Sequence, residues 1–285
     1  MTDAVPQELK PKRVAENPYV SGDLRLHEFR SRLFHNTRML RVWLPSQYDS
    51  VPNRSRQYPV LYLNDGQNLF DRATAFAGVE WEVDETADRL IREKLIPPLI
   101  IVGIDNAQAE RMKEFLPYRS LQPPMLRPRG KYYPEFLIRE VMPFLCERYR
   151  IARGPENTGL GGSSLGALIS LYTVIKHPGM FGRLLLESPS LYISQRRVLK
   201  ASRNCRAWPG KIYIGIGSRE AGREDKDRQV VDDVRELEHV LRKADLNDQR
   251  LLVRVDEGGT HSEREWARRF PQALTFLFGS STSFA

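Results

Sequence analysis

The stretch Leu160–Ser170, LGGSSLGALIS, places two adjacent serines between glycines, where an apolar segment gives way to a helical one. Residues 162–166 form the single G-x-S-x-G pattern of the chain. This register predicts Ser164 as a nucleophile above a sheet, near the positive end of the next helix, with glycines leaving room for a strained turn. Ser163 does not fit, because Leu165 stands two residues after it. The alternative is a glycine-rich turn with incidental serines.

The segments around this turn alternate between short apolar runs and helical spacing. An N-terminal hairpin is predicted over LRLHEFRSRLF and RMLRVWLP, linked by HNT. Buried strands are predicted at PVLYLND, PLIIVGID, NTGLGGSS, GRLLLESP, KIYIGIGS and RLLVRVDEGG. Helices are predicted at 81–94, 133–149, 165–176, 228–244 and 263–278, and a long loop at 118–131. The alternation predicts an α/β fold with a mainly parallel sheet and helices on both faces.

The chain has 285 residues and no linker that would divide it. We expect one domain over 21–279, an irregular segment at 1–20 and a tail at 280–285. The apolar run 95–104 contains two prolines and is far shorter than the roughly 20 residues that span a bilayer. The N-terminus lacks the apolar core of a signal peptide. These features predict a soluble, cytoplasmic protein without a membrane partner.

The formal net charge of +8 admits nucleic-acid binding or a basic enzyme surface suited to an anionic substrate. The charges are spread along the chain, without a long Lys/Arg tract or an RNP-like aromatic pattern, so no nucleic-acid partner is predicted. Cys146 and Cys205 lack metal-ligand spacing, so no metal site is expected. We expect Cys146 in the buried face of a helix.

A serine nucleophile needs a base, and elimination among the five histidines favours His261. In this kind of fold the chain order is serine, acid, histidine. Two histidines precede Ser164, one caps the following helix and one lies in a polar-faced helix; they are His27, His35, His177 and His239. His261 lies in DEGGTHSEREW, where two glycines let the chain turn over the sheet edge. The alternative is a surface histidine.

The third catalytic group should be a carboxylate that holds the imidazole tautomer. KIYIGIGSREAGREDKD offers Glu220, Asp225 and Asp227. We expect Glu220, which is nearest the end of the strand. Each carboxylate could instead be solvated, and a Ser/His dyad without a close acid is the remaining alternative.

An oxyanion hole needs two convergent N–H donors. One is predicted at Leu165, directly after the nucleophile. The other is predicted at Gln67 in LNDGQNLFD, where Gly66 allows a turn. An ordinary Asp-Gly turn is the alternative for this stretch. Such a mechanism needs no metal or organic cofactor.

Several motifs in order carry a family resemblance: YPVLYLNDGQNLFD, WEVDETADRL, IIVGIDN, ERMKEFLPY, YPEFLIREVMPFLCERYR, GGSSLGALISLY and GGTHSEREWARRF. Together, over roughly residues 20–279, the chain resembles the Putative esterase group of α/β-hydrolases, which includes enterochelin, feruloyl and acetylxylan esterases and S-formylglutathione hydrolase. The resemblance implies an α/β-hydrolase fold and carboxylic ester hydrolysis by Ser164 and His261. It also implies an acid after a Gly-x-x-acid strand exit, which matches Glu220.

The chain departs from parts of that group. Ser163 and Leu165 replace the His and Met that flank the nucleophile in S-formylglutathione hydrolase, which makes a thioesterase less expected. The length leaves no room for the N-terminal domain of many siderophore esterases, and no signal peptide of a secreted carbohydrate esterase is seen. The short single-domain members are the best match.

We therefore expect a serine carboxylic ester hydrolase that forms an acyl-enzyme on a small aryl, siderophore-like or sugar ester. The alternatives are an acyltransferase on the same fold and a non-catalytic binding protein. Trp81 and Arg111 are predicted to contact the substrate; Arg111 could instead pair with Glu114 or Asp105. The arginines of 194–206 belong to a predicted cap or to a solvated helix. A homodimer is left open.

Overall fold

A computed structural model of the chain describes residues 12–13, 20–120 and 126–279. These ranges contain one nine-stranded sheet, in the order β1-β2-β3-β5-β4-β6-β7-β8-β9. The strands are β1 (Lys12–Arg13), β2 (Asp23–Arg30), β3 (Thr37–Leu44), β4 (Val60–Asn64), β5 (Ile100–Ile104), β6 (Thr158–Ser163), β7 (Arg183–Glu187), β8 (Lys211–Arg219) and β9 (Leu251–Thr260). The predicted N-terminal segment thus includes a two-residue strand, and the rest of 1–19 and the tail 280–285 lie outside the described residues.

The sheet is antiparallel at one end and parallel over the rest. β1, β2 and β3 pair antiparallel, and β3 also runs antiparallel to β5. All pairs from β5 across to β9 are parallel. The β2–β3 hairpin forms as predicted, with a longer link, residues 31–36, closed by the bond from Ser31 N–H to Asn36 O at 2.9 Å. The mainly parallel α/β sheet expected from the apolar runs is confirmed.

Eight α-helices lie within the described residues. They are α1 (Val83–Arg92), α2 (Arg111–Phe115), α3 (Tyr133–Phe136), α4 (Met142–Cys146), α5 (Leu165–Lys176), α6 (Ile193–Ser202), α7 (Glu224–Lys243) and α8 (Glu263–Phe278). A π-helical turn at Leu137–Val141 joins α3 to α4, and Pro143 is the second residue of α4. Proline cannot donate a backbone hydrogen bond, so the sequence predicts that Pro143 kinks or divides the helix 133–149, and the helix geometry changes there. α4 ends at Cys146, before the predicted end.

The helices cover both faces of the sheet. α1 and α8 bury one hydrophobic cluster, and the remaining helices bury the other. β4 and β5 are buried along their whole length, which explains their uninterrupted apolar sequences. Both faces of the parallel strands therefore exclude water, and polar chemistry is confined to the sheet edge where these strands end.

Cys146 is exposed at the end of α4 and not in the core, because α4 ends at this residue. Part of the predicted loop 118–131 forms a 3₁₀ turn at Gly130–Tyr132, and residues 121–125 lie outside the described chain.

Among the described residues, no helix has the length and apolar character needed to cross a membrane. The cytoplasmic location stays a prediction.

Candidate active site

The turn between β6 and α5 holds Ser164 in a conformation that L-residues rarely adopt. Its φ is 54° and its ψ is −121°, and its N–H donates to Glu187 O at 2.9 Å. This backbone strain presents the side chain at the N-terminus of α5. Ser163, by contrast, is a strand residue with 3% of its surface exposed. The structure therefore places Ser164, and not Ser163, in a position to react.

Glycines flank this turn because side chains from the end of β4 fill the space beside it. A Cβ at Gly162, whose φ is +157°, would lie 3.0 Å from Asn64 Cβ. A Cβ at Gly166 would lie 3.0 Å from Asp65 Oδ2. The G-x-S-x-G pattern thus follows from close packing against β4 as well as from the strained turn itself.

Asn64, which the sequence analysis did not single out, holds the turn from below. It is 1% exposed, and its Nδ2 donates to Gly161 O, Gly166 O and Ser170 Oγ at 3.2, 3.1 and 2.8 Å. Tyr133 donates its hydroxyl to Asn64 Oδ1. A buried amide with its polar atoms occupied ties β4 to both sides of the serine turn. Its position at the carboxyl end of a buried strand was the signal available in the sequence.

His261 and Glu220 are brought together by the ends of two neighbouring strands. Arg219, the last residue of β8, pairs with Thr260, the last residue of β9. The residues that follow them, Glu220 and His261, are therefore adjacent. The imidazole Nδ1 contacts Glu220 Oε2 within hydrogen-bonding distance. The register shifts just before this pair, where a Cβ at Gly217 would lie 2.1 Å from the backbone of β9. Glycine is required there for the two strands to converge.

The alternative carboxylates lie elsewhere. Asp225 accepts from Arg223 at 3.1 Å, and Asp227 accepts from the N–H of Ala221 at 2.6 Å. Glu220 is 4% exposed at its side chain, whereas the His261 side chain is 35% exposed. The arrangement buries the carboxylate and leaves the imidazole open on its other side, as a base that meets substrate requires.

The two predicted oxyanion donors lie at the start of helical turns. Leu165 is the first residue of α5, so its N–H has no partner inside the helix. Gln67 belongs to a 3₁₀ turn, Gly66–Asn68, that follows Asp65 in the left-handed region. The Gln67 side chain accepts from the N–H of Asn106 at 3.2 Å, which fixes the turn. Within the described residues, no hydrogen bond occupies the Gln67 backbone N–H.

A cavity of about 780 Å³ opens beside these groups. His261 and Glu220 line it, together with Ser190, whose Oγ lies 3.2 Å from Ser164 Oγ. In the described chain Ser164 Oγ bonds to Ser190 and not to His261. Apolar side chains dominate the rest of the wall, among them Met112, Leu116, Tyr192, Ile193, Ile216 and Val230. Sequence reasoning missed Ser190 and Tyr192, although both follow β7, the neighbour of the serine strand.

Trp81 does not line this cavity. It is 1% exposed and packs against Trp266 and Phe270, with ring centroids 5.7 and 6.1 Å apart. Its backbone N–H donates to Asn68 O at 3.0 Å. The predicted substrate contact is therefore corrected: the indole fills the core between α1 and α8, because the chain turns inward before α1 begins.

Arg111 is also engaged within the protein. It makes a bidentate pair with Asp65, with N–O distances of 2.6 and 2.7 Å. The two partners considered in the sequence analysis bind other cations: Glu114 pairs with Arg38 and Asp105 with Arg41, each at 2.7 Å. A satisfied bidentate pair leaves the guanidinium little capacity for a substrate anion. Its geometry indicates that Arg111 fixes Asp65, the residue before the Gly66–Asn68 turn.

The predicted cap segment forms α6, and its first turn borders the cavity. Arg196 and Arg203 of this segment face α7, Arg197 lies over the Tyr118 ring, and no arginine of the segment lines the cavity. Arg196 pairs with Asp233 at 2.8 Å and with Glu236, and Arg203 pairs with Glu236 at 2.7 Å. These ion pairs anchor the cap, so the basic residues of 194–206 do not supply a positive substrate pocket.

Comparison with known proteins places the chain among esterases. The family model described as Putative esterase matches residues 31–277. The chain belongs to this family. The resemblance predicted from the motifs is confirmed, and membership makes the chain a carboxylic ester hydrolase.

Among curated proteins, this esterase is 23% identical over 273 residues to the uncharacterized protein YbbA of Bacillus subtilis, covering 93% of this chain and 99% of that one. It is 23% identical over 242 residues to an endo-1,4-beta-xylanase/feruloyl esterase of Xylanibacter ruminicola, covering 83% of this chain and 29% of the other.

Solved structures show the same fold. The BES protein of Bacillus cereus superposes with a TM-score of 0.71 at 21% identity, covering 94% of this esterase and 99% of that protein. The enterobactin esterase FES of Shigella flexneri gives 0.71 at 17% identity and covers 91% of this chain. This esterase spans 60% of the length of the Shigella chain. The α/β-hydrolase fold expected from the sequence is confirmed.

Proposed function

We propose that this esterase works through a Ser164–His261–Glu220 triad and an acyl-enzyme. The observation that carries the proposal is the coincidence of two independent features at one sheet edge. One is the strained Ser164 at the start of α5, and the other is the His261–Glu220 pair at the ends of β8 and β9. Ser190 and His261 line the same cavity, which links the two features.

The proposed reaction has two halves. His261 Nε2 accepts the Ser164 hydroxyl proton as Oγ bonds to the ester carbonyl carbon, and Glu220 holds Nδ1–H and stabilises the imidazolium. The ester C–O bond then breaks, and the leaving alcohol takes the proton from His261. Water repeats the sequence on the acyl-enzyme and releases the acid. The N–H groups of Leu165 and Gln67 hold the oxyanion, each worth roughly 3 kcal/mol of barrier reduction.

The triad is tested by hydrolysis of p-nitrophenyl acetate and butyrate by wild type, Ser164→Ala and the matched control Ser163→Ala. We expect Ser164→Ala to lose activity by a factor on the order of 10⁴ or more, and Ser163→Ala to remain within a few fold of wild type. A fluorophosphonate probe should label wild type and Ser163→Ala alone. A Ser164→Ala protein that hydrolyses like wild type would refute the assignment.

For the substrate, we propose a small aromatic ester that carries an acidic group. The cavity wall is mostly apolar, with Tyr192 and Met112 exposed by 48% and 37%. Lys226 lines the same cavity; among the described residues its Nζ contacts Gln229 Oε1 at 3.3 Å and no carboxylate. Solved relatives include a ferulic acid esterase and an enterobactin esterase crystallised with 2,3-di-hydroxy-N-benzoyl-serine. An apolar wall with a cation that has no carboxylate partner among the described residues suits an aromatic ester with an acidic group.

The substrate class is tested with mono-p-nitrophenyl succinate against p-nitrophenyl butyrate, an anionic and a neutral acyl chain. Lys226→Gln should lower kcat/KM for the succinate about fivefold and leave the butyrate unchanged, because an exposed ion pair is worth at most about 1 kcal/mol. Arg228→Gln, on the same helix, is the control. An equal effect on both esters would refute the proposal that Lys226 recognises the negative charge of the substrate.

A further inference from the structure

Ser188 lies one residue beyond β7 in a conformation unusual for serine. Its φ is 44°, and 3% of its surface is exposed. Its N–H donates to Gly215 O at 2.7 Å, which ties it to β8. The proposed reaction does not use this residue, yet its strained backbone points the side chain at the catalytic carboxylate.

The Ser188 hydroxyl has three neighbours, and they dictate the direction of its single proton. Trp266 Nε1 donates to Oγ at 2.8 Å, and Arg269 Nη2 lies 3.4 Å from it. Indole and guanidinium nitrogens donate and cannot accept. The hydroxyl proton therefore goes to the remaining neighbour, Glu220 Oε1, at 2.8 Å.

This hydrogen bond fixes the rotation of the Glu220 carboxylate. Oε1 accepts from Ser188 and from the N–H of Gly217 at 2.7 Å, so Oε2 is the oxygen turned toward His261. The Trp266 ring also stands edge-on to the imidazole, with centroids 5.1 Å apart. The Trp266 indole therefore contacts His261 and also orients the Ser188 hydroxyl. That hydroxyl in turn holds Glu220.

We propose that Ser188, oriented by Trp266, is a positioning residue that holds Glu220 in the rotation needed to align His261. The proposal rests on the proposed triad, since it acts through Glu220 and not on the substrate. Loss of the hydroxyl leaves Oε1 with one donor, and the carboxylate can then rotate away from Nδ1. Ser188 also lines the cavity, but its hydroxyl proton is committed to Glu220, so we expect a lower kcat with little change in KM.

The test compares Ser188→Ala, Ser188→Gly and Trp266→Phe with wild type. Both Ser188 variants lack the hydroxyl, but glycine relieves the positive φ, so agreement between them isolates the hydroxyl from the backbone. Ser202→Ala is the control, since Ser202 is 1% exposed and donates to Leu199 O on α6, outside the catalytic machinery. We expect kcat for p-nitrophenyl acetate to fall about tenfold in both Ser188 variants and about threefold in Trp266→Phe.

A second readout needs no substrate. The Nδ1 proton of His261 should give a low-field ¹H NMR resonance in wild type and in Ser202→Ala, and that resonance should shift or broaden in the Ser188 variants. A Ser188→Ala protein with the kcat and the resonance of wild type would overturn the positioning role. If Ser164→Ala remains active while Ser188→Ala alters the resonance, the proposed triad has failed and the Ser188–Glu220 contact stands.

Discussion

Two carboxylates, Glu220 at the end of β8 and Glu80 beside α1, are equally buried but have different numbers of hydrogen-bond donors. Their side chains are 4% and 2% exposed. Glu220 contacts three donors: Ser188, Gly217 and His261. In the described chain, Glu80 has a single cationic neighbour, Arg72 at 3.5 Å, and its Oε2 has no partner.

The number of hydrogen-bond donors around each buried carboxyl group affects its pKa and its orientation. Burial, reinforced by the charge of Glu85, raises the pKa of Glu80 to about 7. Burial and the same neighbour also raise the pKa of Asp84, whose Oδ1 is unpartnered. Asp84 Oδ2 accepts from the N–H of Ser21 at 2.6 Å, so each of these two acids has fewer donors than Glu220. Burial with few donors favours the neutral form of a carboxyl group, whereas several donors hold a carboxylate in one orientation.

The largest expected effect separates the two regions by the same chemical change. Glu220→Gln should lower kcat for p-nitrophenyl acetate about 10³- to 10⁴-fold, because an amide cannot hold the required imidazole tautomer. Asp84→Asn should leave kcat within twofold, since Asp84 does not line the cavity and its raised pKa favours the neutral form that asparagine resembles. Thermal unfolding of both variants checks that the fold is intact. Equal losses of kcat in the two variants would break the comparison.

A smaller effect is expected from removing the Arg111 guanidinium, one of the donors to a third buried carboxylate. This carboxylate is Asp65, which is 3% exposed. Arg111→Ala should leave Asp65 with the bond from Asn106 Nδ2 at 2.7 Å and loosen the turn that carries Gln67. We expect kcat to fall about tenfold for neutral and anionic esters alike. Arg89→Ala, in an exposed pair with Glu93, is the control. A loss confined to KM for anionic esters would instead show that Arg111 binds substrate.

The smallest effect concerns stability. Because the folded-state pKa of Glu80 lies above its unfolded value, the protonated form favours folding. Its contribution to the free energy of unfolding is fully present below about pH 4 and is lost as pH rises through about 7. Glu80→Gln keeps a neutral group, so its Tm should exceed that of wild type by about 5 °C at pH 8 and match it at pH 4.

The control for this prediction is Glu82→Gln, because Glu82 is 56% exposed and lies 3.7 Å from the same Arg72. Its Tm difference from wild type should change less between pH 4 and pH 8 than that of Glu80→Gln, because the Glu82 side chain is solvated. If the two variants change alike, burial does not favour the protonated form of Glu80, and the contrast with Glu220 disappears.

The sequence predicted the fold because periodicity and apolar runs report which faces of each element are buried. The bounds of α5 and α8 agree with the predicted helices, and each buried strand lies where an apolar run was read. The G-x-S-x-G pattern indicated Ser164, and elimination by chain order indicated His261. These inferences were accessible because they depend on local sequence and on the order of elements along the chain.

The partners of individual charged and aromatic side chains depended on the tertiary structure. Trp81 was expected at the substrate but fills the core, and Arg111 was expected to pair with Glu114 or Asp105 but pairs with Asp65. Asn64 stands at the carboxyl end of a buried strand, but the sequence did not show which groups Asn64 or Ser188 contacts. Periodicity states whether a residue faces inward or outward, whereas a hydrogen-bond partner is set by how strands far apart in sequence meet. Sequence alone therefore determined the fold and the position of Ser164, the proposed nucleophile, and only the packing of β4, β7, β8 and β9 decided which groups surround it.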